Sequence, residues 1–174
     1  MRVKLSAAKT ILLSTIFSLT GLWAVKILNG PWIFPLLFSL AIPLANWKSL
    51  GDRKVVKTVL ICVATIIILF LGLALGFVAA DSKLIWLSLS VSGMVGIVLL
   101  SVLSNFFSNM HINVLTYLVT FILCFVAFPL GNWVVNITIG RTNSDIIFVS
   151  WTFLFTLGVA TAIVQKNTTA NKCI

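Results

Sequence analysis

A Pro-Leu-small-Asn-Trp run occurs twice in this chain, as Pro43-Leu44-Ala45-Asn46-Trp47 and as Pro129-Leu130-Gly131-Asn132-Trp133. Each residue of the run has a distinct physical use at the end of an apolar helix. Proline removes a donor, frees a carbonyl four residues earlier and bends the terminal turn. Asparagine caps the last carbonyls in a left-handed conformation, and tryptophan anchors the end among headgroups. A kinked, anchored helix end is the first reading; a gate is the sharper one. As a gate, Asn46 and Asn132 would lie at opposite membrane faces, and mutating them would favour opposite-facing states. The offset of 129 − 43 = 86 residues also aligns Gly72 with Gly158, Ala74 with Ala160, Gly76 with Ala162 and Ser18 with Ser104. Because Pro, Asn, Trp and Gly are scarce in a chain of Leu, Ile and Val, their coincidence points to an internal duplication, a pattern of membrane transporters.

The remaining polar chemistry is sparse. Asp52, Asp81 and Asp145 are the only acids, and none lies inside an apolar run. That excludes proton or sodium coupling by an intramembrane carboxylate and carboxylate acid–base catalysis. One histidine and no glutamate exclude a His-Glu-x-x-His metal site, and there is no glycine-rich phosphate loop. No catalytic residue, metal or cofactor is expected, and the chain does not read as an enzyme. Cys62 and Cys124 lie in apolar runs as small hydrophobes. Lys26 is close enough to a helix end to snorkel to headgroups, with Asp81 its nearest candidate partner. His111 reads as an ordinary loop residue among Asn105, Asn109 and Asn113. Asn136-Ile137-Thr138 has the form of a glycosylation sequon, which matters only in a secretory membrane.

These residues need elements to hold them, and composition says which. The chain of 174 residues is 60% hydrophobic and 9% charged, against roughly 25% charged in soluble domains. Too few polar side chains exist to coat a water-soluble globule. The expected fold class is an all-α integral membrane protein with six transmembrane helices at about 10–28, 31–47, 58–80, 84–104, 114–133 and 146–165. The first is read as an uncleaved helix, since no small-x-small cleavage site follows it. With the amino terminus inside, Arg2, Lys4, Lys9, Lys48, Arg53, Lys54, Lys57, Lys166 and Lys172 fall on the cytoplasmic side. Only Lys26, Lys83 and Arg141 fall outside. This positive-inside bias places both termini in the cytoplasm. Trp23, Trp32, Trp86, Trp133 and Trp151 are expected at the outer helix ends, and Trp47 at an inner one. The net charge of +9 is thus used for orientation. No basic patch interleaved with aromatics suggests nucleic acid.

Three spans per half invert the second half relative to the first. The chain is expected to be a single transmembrane domain of two inverted three-helix repeats, 1–83 and 84–174. Pro31, Pro35 and Pro43 in the second helix, and Pro129 in the fifth, mark the segments expected to line a pathway. Ser39, Pro43 and Asn46 on the second, and Thr116, Tyr117, Thr120, Pro129 and Asn132 on the fifth, are the candidate lining. Ser88 and Ser92 on the fourth join them. Small residues at four-residue spacing, among them Gly72, Gly76, Gly96, Gly158 and Ala162, are read as helix-packing positions. So are Thr10, Ser14 and Ser18 on the first helix. Lys48, Arg53, Lys54 and Lys57 would contact anionic lipid or a partner, although orientation alone accounts for them.

The functional expectation is a small transporter or channel for a neutral or weakly polar solute. The alternative is a non-transporting membrane subunit that binds a partner protein or anionic lipid. The expected surroundings are the lipid bilayer, with a membrane partner or a homo-oligomer, in the plasma (inner) membrane.

Overall fold

The computed structural model describes residues 2–28, 33–81, 85–138 and 144–170. Six α-helices form in chain order: α1 (Arg2–Leu28), α2 (Ile33–Ala45), α3 (Lys54–Asp81), α4 (Ile85–Phe106), α5 (Val114–Thr138) and α6 (Ser144–Ala170). A short 3-10 helix, Trp47–Leu50, follows α2, and no strand occurs among the described residues. Among the described residues four segments are long and apolar enough to cross a membrane: Ser6–Val25, Lys54–Leu75, Trp86–Phe106 and Ile147–Val164. These features are compatible with a multi-pass membrane protein. The described part of α2 is shorter, since 13 residues cover about 20 Å at about 1.5 Å each, against about 30 Å of hydrocarbon.

Neighbours in sequence are neighbours in space. Each helix packs on the next, and α6 returns to pack on α1, so the six close into a ring. The interior of that ring is filled by side chains. Phe38 of α2, Leu99, Leu100 and Leu103 of α4 and Phe155 of α6 are fully buried together. Phe38 lies edge-on to Phe155 at 5.9 Å and to Trp151 at 6.4 Å, and Trp151 stacks on Phe155 at 5.4 Å. Such aromatic pairs stabilise beyond the area they bury, by about 0.5–1.5 kcal/mol each. The outward faces are apolar as well, with Leu12, Ile67, Leu71 and Leu118 all exposed. A soluble protein would place polar groups at such positions.

Three expectations are corrected here. Trp151 is no interfacial anchor: α6 begins at Ser144, so this residue sits two turns in, 9% exposed against the Phe38–Phe155 pair. Trp23 and Trp86, at 67% and 72% exposed, keep their rings on the surface. Second, the two motif copies do not both end helices. The first does: α2 stops at Ala45. The second lies within α5, which runs on to Thr138. After Trp47 come Lys48-Ser49-Leu50-Gly51-Asp52, a turn sequence; after Trp133 come Val134-Val135, which continue an apolar helix. Third, Asn46 is not left-handed but has φ −114° and ψ 27°, so it caps through its side chain.

Candidate functional site

The most developed polar structure surrounds Asn46. Pro43 lies in the last turn of α2, where it has no N–H to give, and the helix ends two residues later at Ala45. The Asn46 backbone N–H and its Nδ2 both donate to the Ile42 carbonyl, each at 3.1 Å. Nδ2 also donates to Thr10 Oγ1 of α1 at 2.9 Å. Oδ1 accepts from Ser6 Oγ of α1 at 2.9 Å and from Asn109 Nδ2 of the α4–α5 connection at 3.0 Å. An amide has two donor and two acceptor positions, and all four are used. The residue is buried. Its carbonyl accepts from the Ser49 N–H and hydroxyl, starting the 3-10 turn. The Ser49 carbonyl accepts in turn from Ser108 N–H and Oγ, at 3.1 and 3.0 Å. His111 N–H donates to the Ala162 carbonyl of α6 at 3.0 Å. One end of the bundle is therefore laced across α1, α2, the α4–α5 connection and α6.

The other candidate pathway residues are mostly committed to the backbone. Ser39, buried, donates to the Leu36 carbonyl at 2.7 Å. Ser92 crosses from α4 to the Cys124 carbonyl of α5 at 2.8 Å. Thr116 is part of a helix cap, because Asn113 Oδ1 accepts from both its N–H and its hydroxyl at 2.8 Å. Thr120 donates to the Thr116 carbonyl at 2.8 Å. Tyr117 accepts from Ser101 Oγ at 3.1 Å. Ser88 Oγ is buried without a hydrogen-bond partner. Pro43 is buried and Pro129 exposed. The side chains of Asn132, Lys26, Asp81 and Trp133, the surroundings of Gly76, and the whole of Pro31, Trp32, Lys83 and Arg141 lie outside the described residues.

Close backbone approach occurs at several small residues. A Cβ placed on Gly158 of α6 would lie 2.5 Å from Thr120 Oγ1 of α5, and one on Gly96 of α4 would lie 2.5 Å from Cys124 Sγ of α5. At Gly72 of α3 the nearest atom would be a Val95 methyl carbon of α4. Ala162 is fully buried. Gly93, which the small-residue spacing left out, approaches Phe121 as closely.

On α1 the four-residue row Thr10, Ser14 and Ser18 faces inward, each no more than 1% exposed. Thr10 is bonded to the Ser6 carbonyl and to Asn46. Ser14 Oγ and Ser18 Oγ have no hydrogen-bond partner. Leaving a buried hydroxyl unpaired costs about 1–3 kcal/mol, and these two share one face of α1. Sequence spacing found the row but read it as packing alone.

The basic loop forms the remaining feature. Lys48 and Arg53 are exposed, and Lys54 and Lys57 half-buried. Lys57 Nζ donates to the Leu50 carbonyl at 2.5 Å. An open cleft of about 450 Å³ is lined by Trp47 and by residues Gly51, Asp52, Arg53, Lys54, Val55 and Val56. No three His, Cys, Asp or Glu side chains converge among the described residues. Comparison with protein-family models, curated proteins and solved structures finds no match for this chain.

Proposed function

We propose that this chain is a small membrane transporter or channel for a neutral or weakly polar solute, built from two inverted three-helix repeats with both termini in the cytoplasm of a plasma (inner) membrane. The unpartnered Ser14 and Ser18 hydroxyls, buried side by side on α1, carry this reading. Among the described residues the buried polar side chains are Ser, Thr and Asn, which suits a solute without charge. In this arrangement the Asn46 network is the closed cytoplasmic end.

The test is stopped-flow light scattering on liposomes holding the purified chain, challenged with gradients of urea and of glycerol. Flux of at least one probe above protein-free vesicles is expected, cut about tenfold or more by Ser14→Val with Ser18→Val. Permeability equal to empty vesicles for every probe would sink the transport reading. Ser14→Ala with Ser18→Ala adds an independent check: removing unpaired hydroxyls from a dry interior leaves stability equal or higher, whereas a solvated row loses water partners and flux.

The packed Phe38, Trp151 and Phe155 cluster favours a second reading, a non-transporting membrane subunit that docks a partner protein or anionic lipid. A subunit of this kind would show no flux and would co-purify in fixed stoichiometry with another membrane protein.

A further inference from the structure

The geometry points to an anionic phospholipid site in the cleft between the 3-10 helix and the start of α3, with the lipid phosphate held by Arg53 and Lys54. The cleft opens at the first residue of a candidate membrane span, Lys54–Leu75, the depth at which headgroups lie. Its volume, about 450 Å³, falls within the roughly 300–1,000 Å³ of small-ligand sites. Charge selects the ligand. Four cations, Lys48, Arg53, Lys54 and Lys57, surround a loop whose one carboxylate is Asp52. Guanidinium and ammonium groups side by side suit a phosphodiester, the first as a planar fork and the second as a point charge. Gly51 at φ 66° and Arg53 at φ 54° fold the loop back on the first turn of α3. That turn contains no acidic residue, and its free N–H groups add to the attraction for an anion.

The apolar half of a lipid is matched in the same place. Val55 and Val56 line the cleft and are 67% and 55% exposed. Val59, Leu60 and Val63 continue that exposed face along α3, giving an acyl chain a track away from the phosphate. Trp47, which also lines the cleft, supplies an indole of the kind that sits at the headgroup level. A free phosphate ion would use the cations and leave both the valines and the indole unused, so the occupant is a membrane lipid. The site is independent of solute flux, and each proposal can fail without the other.

Native mass spectrometry of the purified full chain, equilibrated with equal amounts of phosphatidylglycerol and phosphatidylcholine, tests it. Phosphatidylglycerol should be retained about thirtyfold over phosphatidylcholine, the combined effect of two cations at headgroup depth. Arg53→Gln with Lys54→Gln should bring the ratio to about one, while Arg53→Lys with Lys54→Arg keeps most of it. Circular dichroism of both variants should match the parent, as expected for a loop on the surface. Equal retention of the two lipids by the parent overturns the site, as does unchanged selectivity in the double glutamine variant. Displacement of bound lipid by millimolar inorganic phosphate would assign the cleft to the free ion and also overturn it.

Discussion

Gly158→Leu is expected to lower the unfolding free energy of the bundle by about 3 kcal/mol, the upper part of the range for overpacking a filled interior. The cause is local. A Cβ at this position meets Thr120 Oγ1 at 2.5 Å, Cγ2 at 3.0 Å and Cβ at 3.1 Å. Thr120 has little freedom to yield, because its hydroxyl is bonded to the Thr116 carbonyl and the residue is fully buried. The larger leucine must therefore push α5 and α6 apart, and dispersion contacts along both helices are lost with the separation. In lipid no hydrophobic force pulls the helices back together. Gly158→Ala should cost less, about 1–2 kcal/mol, and Thr120→Ala in the same chain should restore part of that loss. Refolding titrations between a mild detergent and sodium dodecyl sulfate give the comparison. If Gly158→Leu titrates like the parent, the close approach of α5 to α6 is wrong.

The helices were legible because hydropathy in a bilayer is a strong and local signal. Their ends were less so. α1 begins at Arg2 rather than near residue 10, since backbone hydrogen bonding carries a helix past the apolar window into charged residues. α5 continues through Pro129, because one missing N–H leaves the rest of the ladder intact and the following valines prefer to stay buried or in lipid. Trp151 shows a related limit. A tryptophan near a span end reads as an anchor, and only the packing of α6 on α2 reveals it as core.

Polar contacts divide in the same way. The Asn113–Thr116 cap could be read from its three-residue spacing, which matches an Asn N-cap facing an acceptor at the third helical position. The Asn46 network could not. Its partners Ser6, Thr10 and Asn109 lie 40, 36 and 63 residues away, and nothing in one sequence joins them. The motif marked Asn46 as unusual, but its partners depend on α1 and the α4–α5 connection meeting at one end of the ring. The basic loop was visible as charge, while its cleft required the turn at Gly51 and Arg53.

Asn46→Ala should lower stability by about 2 kcal/mol and open the end of the bundle that Asn46 closes. Four side-chain hydrogen bonds disappear together, at an average of about 0.6 kcal/mol for each such bond in a membrane protein. The fall should exceed that of any single partner. Ser6→Ala removes only one donor, and Asn109→Ala another, so each leaves Asn46 with three bonds. A double-mutant cycle between Asn46→Ala and Asn109→Ala isolates their shared term, expected near the same 0.6 kcal/mol. The second readout is access. A cysteine at position 7 in place of the buried alanine of α1, with Cys62, Cys124 and Cys173 replaced by alanine, should resist a membrane-impermeant maleimide when Asn46 is present. It should react several-fold faster once Asn46 is alanine, because the amide that ties α1 to the α4–α5 connection is gone. Equal labelling rates with unchanged stability would mean that the network is ornamental and that the end of the bundle is held shut by apolar packing alone.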